Sequence, residues 1–170
     1  WNRGRTEIRG EIVILKHDFE ALNTARRAAG QPEFANPRNL AAGTIRQLDP
    51  GLVASRPLTF RGYDLLRDDP AEVPTHAYAY ETIRALGIAC NTDARVLHGL
   101  DEVMAFADRW ETERHQLPFN TDGLVIKVND RAAYAALGTV GKTPRGAVAY
   151  KYAAEEATTV VKDIVISIGR

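Results

Sequence analysis

The stretch TEIRGEIVIL, Thr6 to Leu15, alternates closely enough to fix one element of the fold. Ile8, Ile12 and Ile14 fall on one side of an extended chain, and Glu7, Arg9, Glu11 and Val13 on the other. A strand with an apolar back and a charged front has to lay its back against an apolar layer. The residues that follow supply helices for such a layer. A helix is predicted from about Asp18 to Ala29, with Phe19, Leu22 and Ala25 on one face and Gly30 as its stop. Asn36-Pro37 reads as an N-cap followed by proline at the first helical position, so a second helix should run from Pro37 to about Gln47. Asp49-Pro50-Gly51 closes it.

The same mixture continues. LTFRGYDLL is a strand and RDDPAEVPT a polar loop. Helices are expected from about His76 to Leu86, ending at Gly87, and from about Glu102 to Arg114, with Val103, Phe106, Ala107 and Trp110 as an apolar stripe. Asp122 to Asn129 and Gly146 to Tyr152 read as strands, with a short helix between them ending at Leu137. TTVVKDIVISIG begins a further alternating strand. No internal repeat or low-complexity tract is present. The class is α+β, with mostly antiparallel sheets.

Bulk properties narrow the partners. Lys+Arg and Asp+Glu both number 22 in 170 residues. Any nucleic-acid contact therefore has to come from a local basic patch. No apolar run approaches the roughly 18 residues of a membrane span. Cys90 is the one cysteine, which excludes an internal disulfide and a multi-cysteine zinc site in this chain. A reducing, cytoplasmic setting fits. The chain begins at Trp1 and closes on DIVISIGR, which reads as an excerpt of a longer protein.

Few residues are placed for chemistry. Glu11 lies on the charged front of its strand, where it is either a solvated carboxylate or an acceptor for a ligand hydroxyl. Lys151 has Ala149 and Ala147 as its neighbours at two-residue spacing; small neighbours leave volume beside a positive charge, as a phosphate pocket needs. The alternative is a lysine snorkelling from a sheet edge. Lys127 sits in an apolar strand on the face of Gly123 and Val125. Asp122 either starts that strand as a turn residue or holds a divalent cation. His17, His76, His98 and His115 lack metal-ligand spacing. No phosphate loop or dinucleotide glycine fingerprint is present. GTVGKTPRG, Gly138 to Gly146, reads as a flexible basic loop.

FANPRNLAAGTIRQLDP, Phe34 to Pro50, holds Arg38 and Arg46 eight residues apart. On a helix that is about 12 Å of rise and about 80° of azimuth. Such a pair can reach two phosphates of one backbone through forked guanidinium groups. Alternatively, the small residues Ala41, Ala42 and Gly43 pack on a sheet and the arginines are merely solvated.

Four blocks in order, EIRGEI, FANPRNLAAGTIRQLDP, DGLVIKVN and AVAYKY, resemble the bacterial NAD-dependent DNA ligases from about Glu7 onward. The resemblance implies the C-terminal part of a nucleotidyltransferase (adenylation) domain over residues 1–156, of the DNA ligase and capping-enzyme type, and the start of an OB-fold domain over 157–170. It implies transfer of AMP from NAD to an enzyme lysine, then to the 5′-phosphate of a nick, then sealing by the 3′-hydroxyl. By motif position Glu11 resembles the ribose-binding glutamate, and Lys127 and Lys151 the AMP-contacting lysines. Asp122 resembles the acidic residue serving Mg2+ (or Mn2+), and Arg38 and Arg46 the arginines meeting nicked double-stranded DNA or nucleotide phosphates.

The implied parent is a monomeric enzyme of DNA replication and repair, cytoplasmic and nucleoid-associated, with Zn2+ confined to a later domain. The family's Lys-x-Asp-Gly nucleophile motif is absent, so the nucleophile is expected upstream of residue 1 and the excerpt alone is expected to be inactive. A second reading is a non-catalytic nucleotide- or nucleic-acid-binding descendant of that domain. Gly146 stands where the family often has tryptophan, a tolerated variation whose expected effect is looser packing near Lys151. Leu40 stands where alanine is usual.

Overall fold

A computed structural model describes residues 3–153 and 158–166. The strand read from Thr6 is β1 (Thr6–Ile14), and it pairs antiparallel with β2 (Leu58–Arg67). Arg9 lies opposite Asp64 but Gly10 lies opposite Gly62, so Tyr63 is an extra residue, a β-bulge. The bulge corrects the parity of β2. It keeps Leu65, opposite Ile8, on the same apolar face as Gly62, opposite Gly10. On that face Leu65, Val73, Ala79, Ile83 and Cys90 form a buried cluster, with Ile8, Tyr80 and Ile88 against it.

The helix α4 (His76–Ala85), capped by Thr75, supplies Ala79 and Ile83 to this core. A Cβ on Gly62 would stand 3.1 Å from Ile83 and 3.2 Å from Ile8, so the glycine sets how closely α4 approaches β2. Beyond β2, Gly62 N–H donates to the Ala89 carbonyl at 2.8 Å, which draws the segment at Cys90 alongside.

The helix α1 (Lys16–Ala28) follows β1 directly. Ala25, expected on its packed face, is exposed, and Asn23 is buried instead. Asn23 earns that position by clamping the Phe34 backbone. It donates to the Phe34 carbonyl at 3.0 Å and accepts from the Phe34 N–H at 2.8 Å. The clamp orients the entry to α2 (Pro37–Ile45), where Asn36 caps the Arg38 and Asn39 N–H groups as expected. α2 lies against β1 and buries Ala41 and Thr44. The expected closing turn at Pro50 is a short helix, α3 (Pro50–Ala54), because Asp49 accepts from Gly51 N–H and starts a new turn. α5 (Leu100–Glu113) begins two residues earlier than predicted, after Gly99 at φ 98°, and carries the expected stripe, with Ala107 and Trp110 buried.

The second half builds another small sheet. β3 (Gly123–Lys127) pairs antiparallel with β6 (Ala147–Lys151). Between them run α6 (Arg131–Ala136) and a short hairpin of β4 (Thr139–Val140) and β5 (Thr143–Pro144). The segment read as a flexible loop is thus an ordered turn, with Gly141 at φ 60° supplying the conformation it needs.

Arg131 joins the two halves by an ion pair with Asp64 and a 2.8 Å hydrogen bond to the Leu65 carbonyl. Asn129 adds two more links, accepting from His76 N–H and Ala77 N–H. Gly146 is not a gap: the Tyr134 ring lies against it, so that a Cβ there would come within 2.5 Å. The expected loosening is absent because an aromatic from α6 fills the place. The strand expected from Thr158 is not present over residues 158–166, which belong to no helix or sheet; its end lies outside the described residues. The α+β class with small antiparallel sheets stands.

Candidate nucleotide and polyanion site

Residues opposite one another in an antiparallel pair share a face. Lys127 faces Ala147, Val125 faces Ala149, and Gly123 faces Lys151. Lys127 and Lys151 therefore stand on one face of the β3–β6 pair, at diagonal corners. Four residues of strand separate the two ends, roughly 14 Å. The floor between them is Gly123, Val125, Ala147 and Ala149, with Val125 and Ala149 exposed. A Cβ on Gly123 would come 2.2 Å from the Tyr150 carbonyl oxygen, so only glycine permits this pairing beside Lys151.

The two lysines differ in environment. Lys151 is exposed. Lys127 is half-buried, with Nζ 5.6 Å from the centroid of the Tyr63 ring, the bulge residue of β2. Burial lowers its pKa. His76 is held below its ordinary value by burial and then by the Lys127 charge. Both nitrogens of His76 are buried without a hydrogen-bond partner, and its ring meets Tyr134 edge-on at 5.0 Å.

Asp122, immediately before β3, is ion-paired to Arg38 at 3.2 Å. The two side chains are 76% and 81% exposed, so the pair is open to an incoming ligand. Asp122 and Lys151 line one cleft of about 510 Å3 together with Lys16, Arg114, His115 and Tyr152. Arg114 is braced there, lying 4.9 Å over the Tyr152 ring and donating to the Thr121 carbonyl at 2.9 Å. Lys16 donates from Nζ to the His115 carbonyl at 2.8 Å and from its backbone to the Pro118 carbonyl at 2.7 Å.

Of the residues singled out in the sequence, Arg38, Asp122 and Lys151 gather at this cleft, and Lys127 shares the lysine face. Glu11 stands on the other sheet. Its cross-strand partner Arg61 turns away, donating to the Cys90 carbonyl at 2.6 Å and lying 4.4 Å over the Phe119 ring. The Glu11 side chain is exposed and makes no hydrogen bond or ion pair among the described residues. Arg46 bonds back to the Ala42 carbonyl of its own helix and remains solvated.

The sequence pattern does not single out Arg114 or Tyr63, and it marks Lys16 only through Lys16-His17-Asp18-Phe19, the nearest string to Lys-x-Asp-Gly, which lacks the glycine. Arg114 ends an amphipathic helix, and nothing local marks a guanidinium that will fold onto a later tyrosine. Tyr63 owes its position to a bulge that a period-two pattern does not reveal. Among the described residues no group of three or more His, Cys, Asp or Glu side chains could hold a metal ion. No helix there is long and apolar enough to cross a membrane.

A small-floored strand face between two lysines, beside a cleft whose described lining is mainly cationic, gives this α+β domain a surface suited to an anionic ligand. The chain belongs to the NAD-dependent DNA ligase adenylation domain family, whose model matches residues 2–155. It is 51% identical over 165 residues to a DNA ligase of Thermomicrobium roseum, covering 96% of this chain and 24% of that protein. It is 46% identical over 164 residues to a DNA ligase of Desulforamulus reducens, again covering 96% and 24%. Against a DNA ligase of Koribacter versatilis it is 42% identical over 167 residues, covering 98% and 25%. The chain thus spans about a quarter of the length of the curated relatives it matches.

Proposed function

We propose that this chain is the nucleotide- and DNA-contacting part of an NAD-dependent DNA ligase that seals single-strand nicks. The observation that carries the reading is the joining of Arg38 and Asp122 at the mouth of the cleft lined by Lys151, with Lys127 on the same strand face. Lys127 and Lys151 bind the AMP moiety over the small floor of β3 and β6. Lys151, the exposed one, is nearest the phosphate. Lys127 is the half-buried one, near the Tyr63 ring. Glu11, free of any protein partner among the described residues, accepts from the ribose. Arg38 and Arg46 meet phosphates of nicked DNA or of the nucleotide.

The reaction starts when a lysine nitrogen attacks the adenylyl phosphorus of NAD. The bond from phosphorus to the bridging oxygen breaks, and nicotinamide mononucleotide leaves with the electron pair. The AMP then passes to the 5′-phosphate of the nick, and the 3′-hydroxyl displaces it. The nucleophilic lysine comes from outside these residues, because the chain holds no Lys-x-Asp-Gly. Here Lys151 and Arg114 stabilise the charge on phosphorus by fixed, charge-assisted hydrogen bonds. Asp122, the one carboxylate of the cleft among the described residues, fits Mg2+, which is commonly held by one or two carboxylates plus substrate phosphates and water. Asp122 would hold it, and the ion would supply further charge neutralisation. Residues 157–170 are read as the start of the following OB-fold domain.

Incubation of the chain with adenylate-labelled NAD and Mg2+, followed by denaturation, tests this division of labour. Label should be bound before denaturation and lost after it. A labelled band at the chain's mass would contradict it and direct attention to Lys16.

A further inference from the structure

The cleft beside Lys151 is larger and more basic than one phosphate requires. Among the described residues three cationic side chains line it, Lys16, Arg114 and Lys151, against one carboxylate, Asp122, which Arg38 already neutralises. Arg114 is braced on Tyr152 and Thr121, so it is fixed in place. Lys16 comes from a different part of the chain, the first turn of α1, and is held at the cleft by its backbone bond to Pro118 and its ammonium bond to His115. A lysine ammonium has three donors, and the His115 carbonyl takes one. A carbonyl is also a weaker acceptor for an ammonium than a phosphate oxygen.

We propose that Lys16 binds a second phosphate in this cleft, making the site a diphosphate site with Lys151 at one phosphate and Lys16 at the next. The ligand class is a nucleoside diphosphate linked to a further group. The inference rests on the nucleotide reading above and deepens it, because NAD carries two linked phosphates. In the nucleotide-bound state the ammonium leaves or shares the His115 carbonyl and donates to the second phosphate. Its backbone bond to Pro118 keeps the lysine at the cleft throughout.

Paired titrations of the full chain with ADP-ribose and with AMP, by calorimetry, test it. The two ligands share the adenylate and differ by the second phosphate and its ribose. Wild type should bind ADP-ribose about tenfold more tightly than AMP, the scale of one hydrogen bond between charged groups. Lys16→Met should bring that ratio close to one, and Lys16→Arg should keep most of it. A purely structural role for Lys16 would weaken both ligands alike and leave the ratio unchanged.

Equal affinities in wild type, or a ratio that survives Lys16→Met, would overturn the inference while AMP binding still supports the nucleotide reading. The wild-type ratio decides the first of these even where the variant does not fold. Failure of both ligands to bind would overturn the nucleotide reading and this inference with it.

Discussion

The Arg38 guanidinium and the Asp122 carboxylate meet at 3.2 Å across 84 positions of chain, joining the first turn of α2 to the start of β3. Both are solvent-exposed, so the pair contributes little to folding, about 0–1 kcal/mol. Arg38→Ala and Asp122→Asn should therefore leave urea midpoints nearly unchanged. Their effect belongs on the ligand. Arg38→Ala should weaken binding of nicked duplex DNA in the parent protein. A large loss of stability with intact binding would return the pair to a structural role.

Arg46 lies solvated at the other end of α2, bonded to the carbonyl of Ala42. If it meets a DNA phosphate, the contact is electrostatic and indifferent to base sequence. Arg46→Ala should then reduce the slope of log affinity against log salt by about 0.9 for duplex DNA. Arg38 is already paired with Asp122, so part of its charge is neutralised within the protein and its loss should change the slope less. A salt series on wild type and both variants measures this. Unchanged slopes in both would leave α2 as a helix that packs its small face and solvates its arginines.

Asn23 is 4% exposed and satisfies both backbone groups of Phe34. Asn23→Ala strands a buried donor and acceptor at the entry to α2, a cost of about 1–3 kcal/mol. Urea denaturation should show it as a lower midpoint with an unchanged m-value. A midpoint equal to wild type would mean that water replaces both bonds.

Gly146 faces the Tyr134 ring. Gly146→Ala should cost about 1–3 kcal/mol through overpacking. In a Tyr134→Ala background the same change should cost less, giving a coupling energy in a double-mutant cycle. Additive costs would show that the ring moves aside freely.

His76 provides a pH dependence with a defined sign. Burial and Lys127 hold its folded pKa below the ordinary 6.5, so the unfolded chain takes up the proton first as pH falls. Stability from neutral His76 is present above about pH 6.5 and is lost as pH falls from there toward the folded pKa. Lys127 shows the same direction at high pH. Its folded pKa lies below 10.5, so the cost of burying its charge is relieved as pH rises from the folded value toward 10.5. Melting temperatures between pH 5 and 7 should fall with acid in wild type and fall less in His76→Phe. Equal slopes would assign the acid loss to other groups.

The parts of the site that follow strand periodicity were legible in the sequence. The neighbours of each lysine on its own strand, Gly123 and Val125 for Lys127 and Ala147 and Ala149 for Lys151, and the Asn36 cap follow from local pattern, whereas the common face of the two lysines needs the β3–β6 register. What was not legible depends on distant pairing. The Tyr63 bulge exists because β1 and β2 must both present apolar residues to α4. The burial of Asn23 reflects an interaction with Phe34, eleven positions away, which periodicity scores as a polar interruption. The cleft of Lys16 and Arg114 forms only when α1 meets the segment after α5. The strand read from Thr158 was assigned on alternation alone, and alternation does not provide a partner strand.

In the proposed function Lys127 and Lys151 hold one nucleotide together. Calorimetric titration of AMP into the chain, with Lys127→Met and Lys151→Met beside wild type, tests it most directly. Binding should be saturable in wild type and weaker by about tenfold or more in each variant, the scale of a hydrogen bond to a charged group. The double variant should lose less than the product of the two single losses, as expected of groups sharing one ligand. Wild-type affinity in either single variant, with its fold intact by circular dichroism, would contradict it.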